Sequence, residues 1–136
     1  MYTYRVKSIN RIIDGDTIDV TIDLGFSINI DQRIRVAGID SPEKRTRDAA
    51  EKALGLDATE WMTKRLEKAP ELIIKTAVEG SMGKYGRVLG WLFVGEEDIS
   101  LNEQMINEGF AWEYDGGTKQ KDLQHLINIR KSQGTY

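Results

Sequence analysis

From Ile18 to Leu24 the chain alternates without exception: Ile18, Val20, Ile22 and Leu24 are apolar, and Asp19, Thr21 and Asp23 stand between them. Side chains of a strand point to opposite faces in turn, so this pattern predicts a strand with one face buried. Gly25 breaks the run, and Phe26, Ile28 and Ile30 resume it, which predicts a hairpin. Tyr2, Tyr4 and Val6 alternate ahead of it. Ile34, Val36 and Ile39 form a third strand after it, and Leu72-Ile73-Ile74 and Val88 through Val94 are short apolar strands further on. Such a set suits a small closed barrel.

The middle of the chain reads as helix. Thr46 is placed to cap a short helix ending near Leu54, with Gly55 as its stop. Asp57 and Glu60 form a capping box for a second helix, ended by Pro70. Ala58, Trp61, Met62, Arg65 and Leu66 share one face of it. Ser100 and Glu103 are another capping box, opening a helix with Leu101, Met105 and Ile106 inward and Gly109 as stop. Lys119 to about Arg130 reads as a last helix, with Leu123, Leu126 and Ile127 on its apolar side. The expectation is one α+β domain over residues 1–136, a five-stranded barrel with three or four flanking helices.

The chain has no cysteine, so disulfides and thiolate metal sites are excluded. It carries no apolar run of about 18 residues and no apolar signal-peptide core behind Met1, so no membrane span is expected. The net charge of −3 makes it a poor bulk binder of nucleic acid. The charge is uneven, however. Lys44, Arg45 and Arg47 cluster, whereas Val88 through Thr118 holds no Lys or Arg but seven acids. A basic mouth and an acidic surface elsewhere are expected.

Chemistry concentrates around Ile34–Glu43, which sets Arg35, Asp40, Ser41 and Glu43 within nine positions. Upstream stands Asp14-Gly15-Asp16-Thr17, and downstream Lys84-Tyr85-Gly86-Arg87 in a glycine-containing loop. Pro42 disfavours helical geometry at Ser41, and an extended turn can leave the Ser41 carbonyl unpaired. Asp16, Asp40 and that carbonyl, completed by water, suit a hard cation such as Ca²⁺, bound loosely at about 10⁻⁴–10⁻³ M. Glu43 beside such a cation is placed for general-base work. Arg35 and Arg87 stay charged at any working pH, and their planar forks match phosphate oxygens. Each piece alone admits a plainer reading: a turn, a strand arginine paired with an acid, a helix approach, a hairpin tip.

Taken in order, the three pieces resemble those of the staphylococcal nuclease (thermonuclease) family, from the first strand to Gly109 and on into the last helix. The resemblance implies an OB-type five-stranded barrel with three main helices. It implies a Ca²⁺-dependent nuclease acting on DNA and RNA and leaving 3′-phosphates. The family's calcium carboxylates fall on Asp16 and Asp40, its ligating carbonyl on Ser41 where threonine is more usual, and its proposed general base on Glu43. Its phosphate-binding arginines fall on Arg35 and Arg87. Lys84 and Tyr85 match residues that hold a second phosphate, and Tyr114 resembles an aromatic position near the nucleotide. The best-known members are basic and secreted, whereas this chain is acidic. Single-stranded DNA or RNA is therefore the favoured partner, the chain is expected to be a monomer, and an intracellular or phage-encoded setting is expected. The alternative is a non-cleaving OB-type module that binds nucleic acid or a protein. His125, the lone histidine, is read as a surface or packing residue, and Trp61, Trp91 and Trp112 as core.

Overall fold

The computed structural model describes residues 1–77, 87–119 and 121–136. Strands β1 (Tyr2–Asp14), β2 (Thr17–Asp23) and β3 (Asn29–Val36) form a meander, followed by the two-residue β4 (Ile39–Asp40). Helix α1 (Ala49–Glu67), strands β5 (Leu72–Thr76) and β6 (Val88–Val94), helix α2 (Leu101–Asn107), strand β7 (Trp112–Glu113) and helix α3 (Leu123–Ser132) complete the order. The sheet closes as a barrel in the order β1-β2-β3-β6-β5, with β3 and β6 parallel and the other described pairings antiparallel. This is the OB-type α+β architecture that the strand pattern and the resemblance call for.

The alternation of β2 has its expected cause. Ile18, Val20 and Ile22 point into the barrel at 0–4% exposure and meet Ile34, Val36, Ile74 and Leu92. Burying each such side chain contributes about 1.5–3 kcal/mol. Ala58, Met62 and Leu66 of α1 join the same core, as do Leu101 and Met105 of α2. The Ser100 cap of α2 is present, its hydroxyl accepting from the Glu103 amide at 3.1 Å. Gly109 ends that helix region with φ +82°.

Several local expectations change, and the last helix begins at Leu123 behind an Asp122 cap instead of at Lys119. Thr46 and Asp57 do not open separate helices, and Gly55 does not stop one. A single helix runs from Ala49 to Glu67, and Asp48 caps it by accepting from the Ala50 and Glu51 amides. Gly55 lies inside because the backbone at Glu43 and Lys44 passes too close for a side chain. Asp57 instead pairs with Arg130 of α3 at 2.7 Å. The hairpin tip also differs: β2 ends at Asp23, and the turn closes with Phe26 and Ser27 at φ 54° and 62°. That conformation leaves Phe26 96% exposed instead of half-buried. Finally, Ile39 belongs to a separate strand. It pairs with Glu113, and Asp40 with Trp112, outside the barrel sheet.

Candidate active site

The turn between β1 and β2 and the end of β3 meet at one mouth of the barrel. In register, Thr17 faces Arg35, and Arg35 faces Leu89 on the parallel strand β6. Arg87 stands just before β6, so its chain position follows from that pairing. The Asp16 carbonyl accepts from the Val36 amide at 2.8 Å, fixing the turn to the strand end. Gly15 permits a further approach, since a β-carbon there would stand 3.1 Å from the Ser41 hydroxyl.

Asp40, Ser41 and Pro42 then dive inward, at 2% and 3% exposure for the first two and fully buried for the proline. Glu43 re-emerges to solvent. Asp16 Oδ2 accepts from both the Ser41 amide (3.0 Å) and the Ser41 hydroxyl (3.1 Å). The Ser41 amide and side chain therefore orient Asp16, whereas the sequence reading gave this residue only a cation-ligating carbonyl. Arg35 is 8% exposed and lies between the two aspartates, with Nη2 3.5 Å from Asp16 Oδ2 and 3.8 Å from Asp40 Oδ1. Its other nitrogen, Nη1, donates to the Val36 carbonyl at 2.9 Å, which holds the guanidinium in place.

Asp16 and Arg35 line a cleft of about 520 Å³ together with Asp14, Glu43, Arg87, Trp91, Tyr114 and Lys119, while Asp40 and Ser41 lie buried behind its wall. A larger hollow of about 700 Å³ lies at the opposite end of the β1–β2 ladder, but its Arg5 and Glu71 approach each other at 3.9 Å and Asp23 caps the Gly25 amide. The cleft is thus where carboxylates and guanidiniums converge. Tyr114 reaches it because β4 and β7 pair and the Tyr114 amide donates to the Gly38 carbonyl at 2.9 Å. Lys84 and Tyr85 lie outside the described residues.

The electrostatics follow from crowding. Burial and the Asp16 charge push the Asp14 carboxyl up to about 7, with Glu43 adding to the rise. Burial would also raise Asp16, but the Arg35 charge and hydrogen bonds from its surroundings outweigh it and hold the group below its ordinary value. Burial raises Asp40, opposed by Lys119 and Arg35. Among the described residues no three His, Cys, Asp or Glu side chains form a ready-made metal cage. Asp40 Oδ2 is buried and has no hydrogen-bond partner among them. An unsatisfied buried carboxylate oxygen is costly, and a hard cation is a partner that suits it. The donor set fits Ca²⁺ on that ground.

Several contributors were not foreseen. Trp91 is half-buried in the cleft wall and not in the core. The alternation of β6, where Gly90, Leu92 and Val94 face in, would have assigned it outward. Trp61 is also half-buried, stacked on Phe110 at 5.8 Å, while Trp112 is buried as expected. Asn102 of α2 is buried and ties strand β6 to the end of β3. Its Oδ1 accepts from the Leu92 amide, and its Nδ2 donates to the Ala37 and Gly90 carbonyls. Glu51 accepts from the Glu43 amide at 3.0 Å and from Lys121 at 2.9 Å, so helix α1 and the segment before α3 both hold the Glu43 segment. No local pattern marks either residue. His125 is exposed, with its amide on the Asp122 cap.

A closed five-stranded barrel with a cleft of paired acids and arginines at one mouth defines an OB-type α+β protein built to handle charged ligands. The family described as staphylococcal nuclease homologue matches residues 33–133, and the chain belongs to that family. It is 34% identical over 111 residues to the protein ParB of Escherichia coli, covering 76% of this chain and 54% of that protein. It is 30% identical over 123 residues to an uncharacterized endonuclease of Escherichia coli, covering 90% of this chain and 70% of the relative. A micrococcal nuclease of Shigella flexneri is 31% identical over 124 residues, with 84% and 61% covered. The chain thus spans little more than half the length of ParB. Among the described residues no helix is long and apolar enough to cross a membrane.

Proposed function

We propose that the protein is a Ca²⁺-dependent nuclease that hydrolyses phosphodiester bonds of DNA and RNA and leaves 3′-phosphates. The observation that carries this reading is Arg35 set between Asp16 and Asp40 in the cleft that Glu43 and Arg87 also line. The endonuclease and micrococcal nuclease names of the relatives support it.

Asp16 and Asp40, with the Ser41 carbonyl, would hold Ca²⁺, which when bound supplies positive charge beside the phosphoryl oxygens. Glu43, exposed at the rim, accepts a proton from the attacking water. The water oxygen forms a bond to phosphorus, the bond from phosphorus to the 5′ oxygen breaks, and that oxygen takes a proton from solvent. Negative charge spreads over the equatorial oxygens as this happens. Arg35 and Arg87 offer planar forks to that charge, and Arg35 is held by Val36 before substrate arrives, so little reorganisation is needed. Lys84 and Tyr85 hold a neighbouring phosphate, and Tyr114 at the cleft edge meets the nucleotide. An aromatic edge and a half-buried Trp91 favour unstacked bases, hence single strands. The protein acts as a monomer and as one domain.

Digestion of short single- and double-stranded DNA and RNA by the pure protein, in Ca²⁺ or in EGTA, tests this. Cleavage only with Ca²⁺ and ends that bear 3′-phosphate are expected. Absence of cleavage in millimolar Ca²⁺ would leave the non-cleaving binding module standing instead.

A further inference from the structure

Asp40 carries two cationic neighbours of different kinds. Arg35 is buried and fixed, but Lys119 is 42% exposed and comes from the loop after Tyr114, with Nζ 3.3 Å from Asp40 Oδ1. The same ammonium lies 5.8 Å from the centre of the Tyr114 ring and lines the cleft with Arg35 and Arg87. A divalent cation that settles on Asp40 therefore meets an ammonium already there. Like charges a few ångströms apart repel strongly at a protein surface. Lysine's flexible stem lets it withdraw, and the nearest anion-binding space is the cleft itself.

We propose that Lys119 is a tethered counter-ion of the cation site: it occupies Asp40 in the absence of cation and transfers to a substrate phosphate when cation binds. The inference rests on the Ca²⁺ reading above. It makes cation and phosphodiester bind cooperatively, since a phosphate that captures Lys119 frees Asp40, and the coupling is reciprocal. Its neighbour Lys121 has the same charge on the same segment but pairs with Glu51, not Asp40.

Calorimetric titration with Ca²⁺, with and without a phosphorothioate dinucleotide, tests the idea on wild type, Lys119→Met, Lys119→Arg and Lys121→Met, each checked for folding by circular dichroism. Lys119→Met should bind Ca²⁺ roughly fivefold or more tightly without dinucleotide, the lower end of usual coupling. It should also lose most of the dinucleotide's enhancement. Lys119→Arg should return toward wild type, and Lys121→Met should stay within about twofold of it, as expected of a charge change without direct contact. Unchanged or weaker Ca²⁺ binding by Lys119→Met, an intact dinucleotide effect, or equal tightening by Lys121→Met overturns the proposal while leaving the nuclease reading intact. Failure of wild type and every variant to bind Ca²⁺ at millimolar levels overturns both.

Discussion

Gly55 lies flat against Glu43: a β-carbon at Gly55 would stand 2.6 Å from the Glu43 carbonyl carbon and 2.7 Å from its oxygen. The middle of α1 thus serves as the bed on which the segment bearing Glu43 rests, and Glu51 one turn earlier fastens it through the Glu43 amide.

Gly55→Ala is the direct test of that bed. Helix propensity alone favours alanine by about 1 kcal/mol. The backbone it would strike has no rotamer to change, so overpacking should outweigh propensity and cost about 1–3 kcal/mol net. Thermal unfolding should show a lower Tm, and nuclease assay a lower kcat from a displaced Glu43. A variant as stable as wild type would mean that helix and loop separate cheaply.

Asn102→Ala removes three hydrogen bonds at once; the Leu92 amide and the Ala37 carbonyl lose this partner, while the Gly90 carbonyl keeps the Ala37 amide at 2.9 Å. Each buried unsatisfied group costs about 1–3 kcal/mol. Denaturant titration should give a loss of at least about 2 kcal/mol with an unchanged m value. A loss under half of that would show that the strand ends re-pair without the side chain.

Arg35, Glu43 and Arg87 are expected to act on the transition state. Glu43→Gln and Arg87→Ala should each reduce kcat by about 10²–10³ while KM moves little. Arg35→Lys keeps a charge but loses the fork that reaches both Asp16 and Asp40, so activity should fall with it. Retention of rate within a few-fold of wild type by any of the three would remove that residue from the mechanism.

The Asp14 carboxyl is raised to about 7 from 3.8 by burial, then by Asp16. Between those pH values the folded protein keeps a proton that the unfolded chain has released. Its contribution to stability is fully present below 3.8 and is lost as pH climbs through about 7. Asp14→Asn preserves an acceptor for the Asp16 amide, now served by Asp14 Oδ1 at 3.1 Å, but cannot ionise. In EDTA, its Tm should match wild type near the acid end and exceed it at pH ~8. Parallel curves across that range would show that Asp14 titrates as an ordinary carboxyl.

Period-two patterning and capping chemistry are local properties, and they determined the strands of the barrel, the Ser100 cap and the presence of a helical middle. The side-chain types at Asp16, Arg35, Asp40, Glu43 and Arg87 likewise motivate the proposed site for cation and phosphate, because only certain groups do that chemistry. What tertiary structure decided was contact between distant segments. The parallel pairing of β3 with β6 brings Arg87 into the cleft that Arg35 lines, the β4–β7 pair brings Tyr114 to its edge, and the loop beyond sets Lys119 on Asp40. A glycine that looks like a helix stop became a helix interior because another backbone leans on it. Asn102, Glu51 and Lys119 carry no signature along the chain, since their roles exist only once elements far apart in sequence have closed to within a hydrogen bond.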